Sequence, residues 1–152
     1  MKYCSLQTLL LIGSLFMTSS TAFADPNAAL IEARQEKFKD MGAAMKVFRD
    51  ELKQGTPDLQ SMREAAATVA GYAPDIESWF PAGTGPDSGI ETDALAYIWK
   101  NTSKFSQVSQ DLVPAADGLV DAVATGEIES IMAAVSAVGR ACKACHQSFR
   151  AE

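Results

Sequence analysis

Two cysteines and a histidine near the C-terminus limit how this chain can fold more than any other feature of its sequence. They belong to the sequence Cys-Lys-Ala-Cys-His at residues 142–146. On a helix, residues three and four positions apart share one face, so Cys142, Cys145 and His146 would point the same way. Two thiols so spaced can bond the two vinyl groups of one porphyrin while the histidine ligates its iron. The motif therefore predicts one covalently bound haem c, which the rest of the chain must enclose.

Three other roles for this motif stay open at this point. A zinc site needs four ligands, whereas the motif supplies three and His146 is the only histidine of the chain. A redox-active dithiol usually opens a helix in a βαβ setting, where the helix dipole lowers the thiol pKa. A structural disulfide would leave the histidine without a role. Haem attachment accounts for all three side chains, and it is the interpretation we favour.

The first 24 residues are typical of a secretory signal peptide. Lys2 precedes an apolar run over residues 9–17, and Ala-Phe-Ala at residues 22–24 has the pattern of a cleavage site. Cleavage after Ala24 would remove Cys4 and predicts a periplasmic protein; an uncleaved anchor is the alternative. The run is shorter than the ~20 apolar residues that span a bilayer, and no later segment approaches that length. We therefore expect no membrane insertion of the mature chain.

Length and charge limit the number of domains and the class of partner. Removing 24 of 152 residues leaves 128, which suits one domain with one core. Without Lys2, 12 basic residues stand against 19 acidic ones, a net charge of −7. So acidic a chain is not expected to bind nucleic acid. The charge would suit a redox partner with a basic surface, but solubility alone also explains it.

Residues that begin and end helices divide the first half of the mature chain into two predicted helices. Asp-Pro at residues 25–26 and Thr-Pro-Asp at residues 56–58 are typical helix starts, and Gly55 ends the first helix. Pro74 is expected to kink the second helix near Trp79. The apolar residues of both segments recur at helical spacing.

The second half contains a long irregular stretch and two further predicted helices. Residues 80–89 hold three glycines and two prolines and are expected to connect the halves. The third helix is predicted from Thr92, with a bend at Pro114 and an end at residues 125–126, and the fourth from Glu127 through the motif. Four long helices with short connections predict an all-α protein, an antiparallel up-down-up-down four-helix bundle. Since a bundle holds its cofactor between facing helices, the first helix should cover the haem.

Several separated segments of the mature chain resemble the helical cytochromes c′. The matching segments are the C-terminal Cys-Lys-Ala-Cys-His-Gln-Ser-Phe-Arg, Arg-Gln-Glu-Lys-Phe-Lys at residues 34–39, Trp-Phe-Pro at 79–81, Gly-Thr-Gly at 83–85, and Thr92, Ala94, Leu95, Ile98 and Trp99. The first of these is the most specific. Ala96 and Tyr97 stand where the family pattern has proline and glutamate. The resemblance implies a four-helix bundle, often a homodimer, with a pentacoordinate, high-spin haem.

The resemblance also implies which residue covers the free face of the iron. That residue lies four positions after the first-helix arginine, and here it is Phe38, which cannot coordinate a metal. A methionine at this position would allow a low-spin, six-coordinate electron carrier, so Phe38 indicates an open but sterically blocked iron. Met41 and Met45 could share the helix face of Phe38 and ligate the iron instead. Methionines at helical spacing are more often core residues.

At one edge of the haem, the resemblance implies that Arg34 and Gln35 reach the propionates. Thr92 or Asp93 is expected to contribute contacts at the same edge. An ion pair between Arg34 and an acidic residue of a neighbouring helix is the alternative.

Three more residues are expected on the flanks of the haem or in the core. Trp79 is expected to flank the haem, whereas Trp99 is expected to be a core residue. Arg150 follows His146 by four positions and should lie on the proximal side, beside the imidazole and the haem edge. A C-terminal arginine that only stabilises the helix dipole is the alternative.

An apolar distal face favours some gases over others. Bound O2 carries partial negative charge and benefits from a hydrogen-bond donor, while NO and CO bind ferrous iron without one. We therefore predict a periplasmic c-type cytochrome that binds NO or CO and also transfers electrons. The alternative is a low-spin, Met-ligated one-electron carrier, with an unidentified redox partner protein in either case. No enzyme is predicted, because no acid or base is expected on the distal side.

A homodimer is predicted as well. The apolar residues of the first helix, including Met45 and Phe48, exceed what one haem-facing stripe needs. We expect the surplus to form a surface patch for a second subunit.

Overall fold

The computed structural model describes residues 25–151, so the predicted signal peptide, its cleavage site and Cys4 lie outside the described residues. Six α-helices account for most of this region. They are α1 (Pro26–Glu51), α2 (Leu59–Tyr72), α3 (Tyr97–Lys100), α4 (Thr102–Gln110), α5 (Leu112–Thr125) and α6 (Ile128–Phe149). Two 3-10 segments, Ala73–Trp79 and Pro86–Ser88, lie between α2 and α3. Between residues 25 and 151 there is no β-strand, only an isolated bridge.

Helices α1 and α2 begin where the sequence predicts, because an aspartate caps each of them. Asp25 accepts a hydrogen bond of 2.8 Å from the backbone N–H of Asn27, and Asp58 accepts one of 2.9 Å from that of Gln60. Pro26 occupies the first position of α1, where its missing N–H costs nothing. Hydrogen bonds from the Ser61 hydroxyl and from the Gln60 backbone lower the pKa of Asp58, which keeps this cap ionised.

The predicted third helix is divided into α3, α4 and α5, and it begins later than expected. Instead of starting near Thr92, the chain first forms a bridge with the end of α6, in which the Leu95 N–H donates to the Phe149 carbonyl at 2.9 Å. The first helical turn then begins at Tyr97. Asn101, with φ −138° and ψ 53°, separates α3 from α4.

The bend predicted at Pro114 is present as the break between α4 and α5. Proline has no N–H, so Pro114 cannot donate to the carbonyl of Gln110, four residues before it. The helix is interrupted at Asp111, within this unpaired turn. Pro74 acts similarly, since α2 ends at Tyr72 and the chain continues as a 3-10 segment.

The helices pack as the predicted antiparallel four-helix bundle. Helix α1 packs along α2, α2 along α5, and α5 along α6. The short helices α3 and α4 precede α5 in the chain, and the three together form the third helix of the bundle. The core contains large side chains with no exposed surface, among them Phe48, Met62, Val69, Leu119 and Ile131. None of the helices in the described region has the length and apolar character that a membrane span requires.

Phe48 and Met45 do not form the surface patch predicted on α1. Phe48 is 0% exposed, because it lies on the α1 face that packs into the core. Met45 is half-buried and lines an internal cavity. These two residues therefore belong to the interior of the subunit, whereas Leu30 of α1 is 46% exposed.

Gly126 ends α5 in a conformation that favours glycine. Its φ is +74°, and an added Cβ would lie 3.3 Å from Leu59 Cδ1. We expect Gly126→Ala to lower the free energy of unfolding by about 1–2 kcal/mol. Gly118→Ala is the matched control, because Gly118 lies inside α5 with nothing within 4 Å, and alanine there should add about 0.5–1 kcal/mol. Denaturant unfolding measures both, and changes of the same sign would contradict strain at Gly126.

Candidate haem-binding site

A cavity of about 870 Å³ takes the place of a direct interface between α1 and α6. Its volume is in the range of cofactor pockets. One wall comes from α1 and another from α6. The remaining surface comes from α4, from the first residue of α5, from single residues of α2, of α3 and of the 3-10 segment 73–79, from Phe80, and from residues 91–94. The bundle therefore holds an internal space beside the Cys-Lys-Ala-Cys-His motif.

The three motif side chains lie together on the α6 wall of this cavity. Both cysteines are free and half-buried. Burial raises the pKa of the Cys142 thiol, and burial together with the nearby Cys142 raises that of Cys145 to about 11. Both thiols are thus protonated at neutral pH, unlike the low-pKa cysteine of a redox dithiol. Within residues 25–151, no group of three or more His, Cys, Asp or Glu side chains could hold a metal, so a zinc site gains no support.

His146 also lines the cavity, and its environment favours the neutral ring. Part of its surface is exposed, yet desolvation of the rest and then the positive charge of Arg150 lower its pKa. A neutral imidazole is the form that ligates metals. The α6 wall therefore presents two thiols and one neutral imidazole to the same space.

Phe38 lies on the α1 wall and is held there by two other aromatic rings. The edge of Trp79 meets it at a centroid distance of 5.2 Å and an interplanar angle of 77°, and Phe80 lies 6.1 Å away. Such pairs each contribute about 0.5–1.5 kcal/mol beyond the burial of their area. The ring is thus held on the α1 wall of the cavity that the motif also lines, and its role as distal cover stays a prediction.

Trp79 does not line the cavity itself, and its expected place beside the haem stays a prediction. It is 7% exposed and lies behind Phe38. Lys37 places its ammonium 4.7 Å from the Trp79 ring centroid, and the edge of Tyr72 lies 5.7 Å away. The Tyr72 hydroxyl donates to Asp40 at 3.1 Å, which raises the tyrosine pKa and joins α2 to α1. Trp79 therefore positions Phe38 from behind.

Met41 and Met45 are on the same wall as Phe38. Met41 is 7% exposed and belongs to the core as well as to the cavity lining, while Met45 is half-buried. Their sulfurs are the thioether donors that α1 brings to this cavity. The coordination of either methionine to iron stays a prediction.

Arg34 is almost fully buried at one edge of the cavity, with 2% of its surface exposed. Its guanidinium donates to the Thr84 hydroxyl at 2.8 Å, the Thr84 carbonyl at 2.7 Å and the Thr92 hydroxyl at 2.8 Å. It also stacks 4.6 Å from the Phe80 ring centroid. Burial lowers its pKa.

No carboxylate in the described part of the chain lies within 4 Å of this buried cation. The alternative role of Arg34, an ion pair with an acidic residue, is therefore absent from the described region. A buried charge is costly unless an opposite charge and hydrogen bonds compensate it. A propionate entering the cavity would supply that charge. Thr84 is the partner that the sequence did not identify, because Gly-Thr-Gly indicated only a loop.

Gln35, Thr92 and Asp93 also line this edge, but they bind protein groups. The Gln35 amide donates to the Glu91 carbonyl at 3.3 Å, and the Thr92 hydroxyl accepts from Arg34. The Asp93 carboxylate accepts two hydrogen bonds from Arg150, the shorter at 3.1 Å. The Asp93 carboxylate therefore orients an arginine, and a contact from the Asp93 backbone to a propionate stays a prediction.

Arg150 lines the cavity at the C-terminal end of α6, near His146. Helix α6 ends at Phe149, and Arg150 is extended, with φ −117° and ψ 140°. Its N–H still donates to the His146 carbonyl at 3.1 Å, so the four-residue helical spacing between the two residues is kept. The bridge with Ala94 and the ion pair with Asp93 hold Arg150 at the cavity rim, with 55% of its side chain exposed.

The chemistry of the cavity fits haem c. Two thiols suit the vinyl groups, a neutral imidazole suits the iron, and a buried cation without an anion suits a propionate. Trp99, which is expected to be a core residue, does not line the cavity. Its indole N–H donates to the carbonyls of Phe80 and Pro81, both at 3.1 Å.

We expect replacement of Arg34 to destabilise the protein more than replacement of Arg150. Arg34→Met leaves the buried oxygens of Thr84 without a donor and should lower the free energy of unfolding by about 1–3 kcal/mol. Arg150→Met removes an exposed ion pair and should cost less than about 1 kcal/mol. Denaturant unfolding of the two variants tests this order, which equal losses would refute.

Comparisons with known proteins agree with this site. A protein-family model described as Cytochrome C′ matches residues 29–150. The chain is 32% identical to a cytochrome c′ of Rhodospirillum rubrum over 142 residues, covering 93% of this chain and 94% of that protein. It is 29% identical to a cytochrome c-556 of Rhodopseudomonas palustris, covering 95% of this chain and 97% of that protein.

Solved structures show the same fold. The crystal structure of cytochrome c′ from Thermochromatium tepidum aligns with a TM-score of 0.77 at 31% identity, covering 84% of this chain and 98% of that one. A second structure, described as a cytochrome c′ with an unusual ligand-controlled dimer dissociation, aligns with a TM-score of 0.78 at 27% identity. That alignment covers 86% of this chain and 100% of the other.

Proposed function

Because the chain belongs to the cytochrome c′ family and is therefore a c-type cytochrome, we propose that its iron is pentacoordinate, high-spin and open to NO and CO. The observation that carries this proposal is the Phe38 ring. It lines the cavity on the α1 wall, is fixed by Trp79 and Phe80, and has no atom that can coordinate a metal. The family binds a covalent haem c, which supplies a redox-active iron when bound.

Different residues of the cavity would bind different parts of this cofactor. Cys142 and Cys145 would each form a thioether bond, and the neutral imidazole of His146 would serve as the axial ligand. Arg34 would pair with a propionate, since it is the buried cation without a carboxylate partner in the described region. Arg150, oriented by Asp93, would place a second positive charge at the rim.

Phe38 gives the site its selectivity among gases. An aromatic ring offers no N–H or O–H donor, so it cannot stabilise the partial negative charge of bound O2. It hinders every diatomic ligand sterically, but NO and CO bind ferrous iron without a donor. The site would thus favour NO and CO over O2.

A low-spin electron carrier is the second candidate, and Met41 and Met45 support it. Both line the α1 wall, one and two helical turns after Phe38. A relative from Rhodopseudomonas palustris, which aligns over 97% of its length, has the different name cytochrome c-556. In this second proposal, one of the two sulfurs would occupy the sixth position and exclude gases.

Location and assembly belong to the same proposal. The N-terminal signal pattern and covalent haem attachment support a periplasmic protein, and no enzymatic step is proposed. Since one structural relative at 27% identity is described as a dimer with ligand-controlled dissociation, we propose a homodimer whose stability depends on the bound gas. Its interface involves surface residues other than Phe48 and Met45, which are turned inward.

Gas titrations of the purified ferrous holoprotein test this function. We expect saturable CO and NO adducts at micromolar gas, and no stable O2 adduct before the iron is oxidised. Phe38→Gln is an informative variant, because an amide donor in place of the ring should strengthen O2 binding. Absence of any CO adduct would favour the Met-ligated carrier.

A further inference from the structure

The charged residues of this acidic protein are unevenly distributed. Residues 94–110 and 130–151 contain five lysines and arginines and no carboxylate side chain. Residues 25–93 and 111–129 contain 18 of the 19 acidic residues, and the remaining one, Glu152, lies outside the described region. Two segments of the chain are therefore basic within an acidic molecule.

These two segments form one side of the bundle. Helices α3 and α4 both pack against α6, and the bridge between Ala94 and Arg150 joins the start of one segment to the end of the other. Within residues 25–151, two acidic side chains bond to this side: Asp93 pairs with Arg150, and Glu77 accepts a hydrogen bond of 2.7 Å from the Ser106 hydroxyl. Lys100 and Lys104 are exposed and form no ion pair in the described part of the chain.

Apolar side chains are exposed among these charges. Tyr97 is 40% exposed and Leu95 is 36% exposed, although both are large. The Lys104 ammonium lies 5.6 Å from the Tyr97 ring centroid. We define the Tyr97 face as Leu95, Tyr97, Lys100, Lys104 and Arg150. An apolar centre with a charged rim is the usual anatomy of a protein interface.

The Tyr97 face is in contact with the haem-binding cavity through one residue. Tyr97 stacks on Phe149 with ring centroids 5.6 Å apart and an interplanar angle of 25°. Phe149 is 3% exposed, lines the cavity and lies three residues after His146. A protein seated on the Tyr97 face would thus be separated from the cavity by two stacked rings.

We propose that the Tyr97 face is the docking surface for an acidic one-electron redox protein. The basic rim selects a partner with carboxylates around an apolar centre, because like charges across an interface are repelled. In the haem-loaded protein, one electron would pass between the partner and the iron: ferric iron would be reduced as the partner is oxidised, or ferrous iron oxidised as the partner is reduced, and no bond or proton would be transferred. This inference rests on the electron-transfer part of the proposed function and does not depend on gas binding.

Two probes of the holoprotein test the docking surface, ferricyanide as electron acceptor and poly-L-glutamate as an acidic surface. The test variant is Lys100→Glu with Lys104→Glu. The control is Lys53→Glu with Arg63→Glu, which changes the net charge equally on α2 and just after α1, away from the Tyr97 face. None of these four residues lines the cavity. Ferricyanide oxidation of the ferrous protein is followed by stopped flow at low ionic strength, and poly-L-glutamate binding by calorimetry.

We expect the test variant to be oxidised at least about 5-fold more slowly than wild type and to bind poly-L-glutamate at least about 5-fold more weakly. The control should change each value by less than about 2-fold, and about 0.5 M salt should abolish the differences. Equal effects in the two variants would overturn the proposal, since net charge alone would then explain them. Failure of the proposed gas function is separately visible, as a low-spin spectrum without a CO adduct in wild type and both variants.

Discussion

Replacing Phe38 with alanine is expected to accelerate CO binding to the ferrous protein by about 5- to 150-fold. If Phe38 covers the iron as proposed, a gas reaches that side only when the ring leaves its contacts with Trp79 and Phe80. Two such aromatic contacts at about 0.5–1.5 kcal/mol each give a barrier of about 1–3 kcal/mol. Each 1.36 kcal/mol removed from a barrier is about a tenfold increase in rate.

Two further variants at this position separate blocking from coordination. Phe38→Leu keeps an apolar side chain over the same space and should accelerate CO binding by much less than alanine. Phe38→Met supplies a thioether sulfur and should produce a low-spin spectrum with slower CO binding. Flash photolysis or stopped flow measures all three rates. An alanine variant with the wild-type rate would show that Phe38 does not cover the iron.

Replacing Cys142 and Cys145 together with serine is expected to abolish covalent haem attachment. A serine hydroxyl does not add to a vinyl group to form the thioether, and residues 25–151 contain no other cysteine. The product should carry no haem on a denaturing gel stained for peroxidase activity, and its intact mass should equal that of the polypeptide alone. Covalent haem in the double variant would contradict the assignment of the two thiols.

Single variants are the control for this experiment. Cys142→Ser and Cys145→Ser each retain one thiol on the α6 wall and should each retain haem through a single thioether bond. Non-covalent haem in the double variant would still meet His146 and Arg34. The double variant without haem should unfold at a lower denaturant concentration than the holoprotein, because a cofactor that binds only the folded chain stabilises it.

The sequence was sufficient for the bundle, since the signals that determine it are local. Asp25 and Asp58 are helix caps that act within two residues, and Pro74 and Pro114 disrupt helices through their own missing N–H groups. The extent of the third helix was not predictable in the same way. Its first residues are held by a bridge to Arg150, which is more than 50 positions away in the chain.

In the site, too, contacts within one helix were predictable from the sequence and contacts between distant segments were not. The spacing of the motif placed three side chains on one helix face, and they do line one cavity. The partner of Arg34 could not be predicted, because Thr84 lies 50 positions further on in an irregular segment. The contact between Trp79 and Phe38 is unpredictable for a related reason. Neither residue type nor spacing shows that Trp79 contacts the back of Phe38, outside the cavity.

The spin state of the purified holoprotein tests the central claim most directly. Optical and electron paramagnetic resonance spectra of the ferric and ferrous forms should show high-spin, five-coordinate iron, and the ferrous spectrum should change on addition of CO or NO. Low-spin spectra in both oxidation states, without a CO adduct, would contradict an open iron behind Phe38. They would instead assign the sixth position to Met41 or Met45 and the protein to electron transfer.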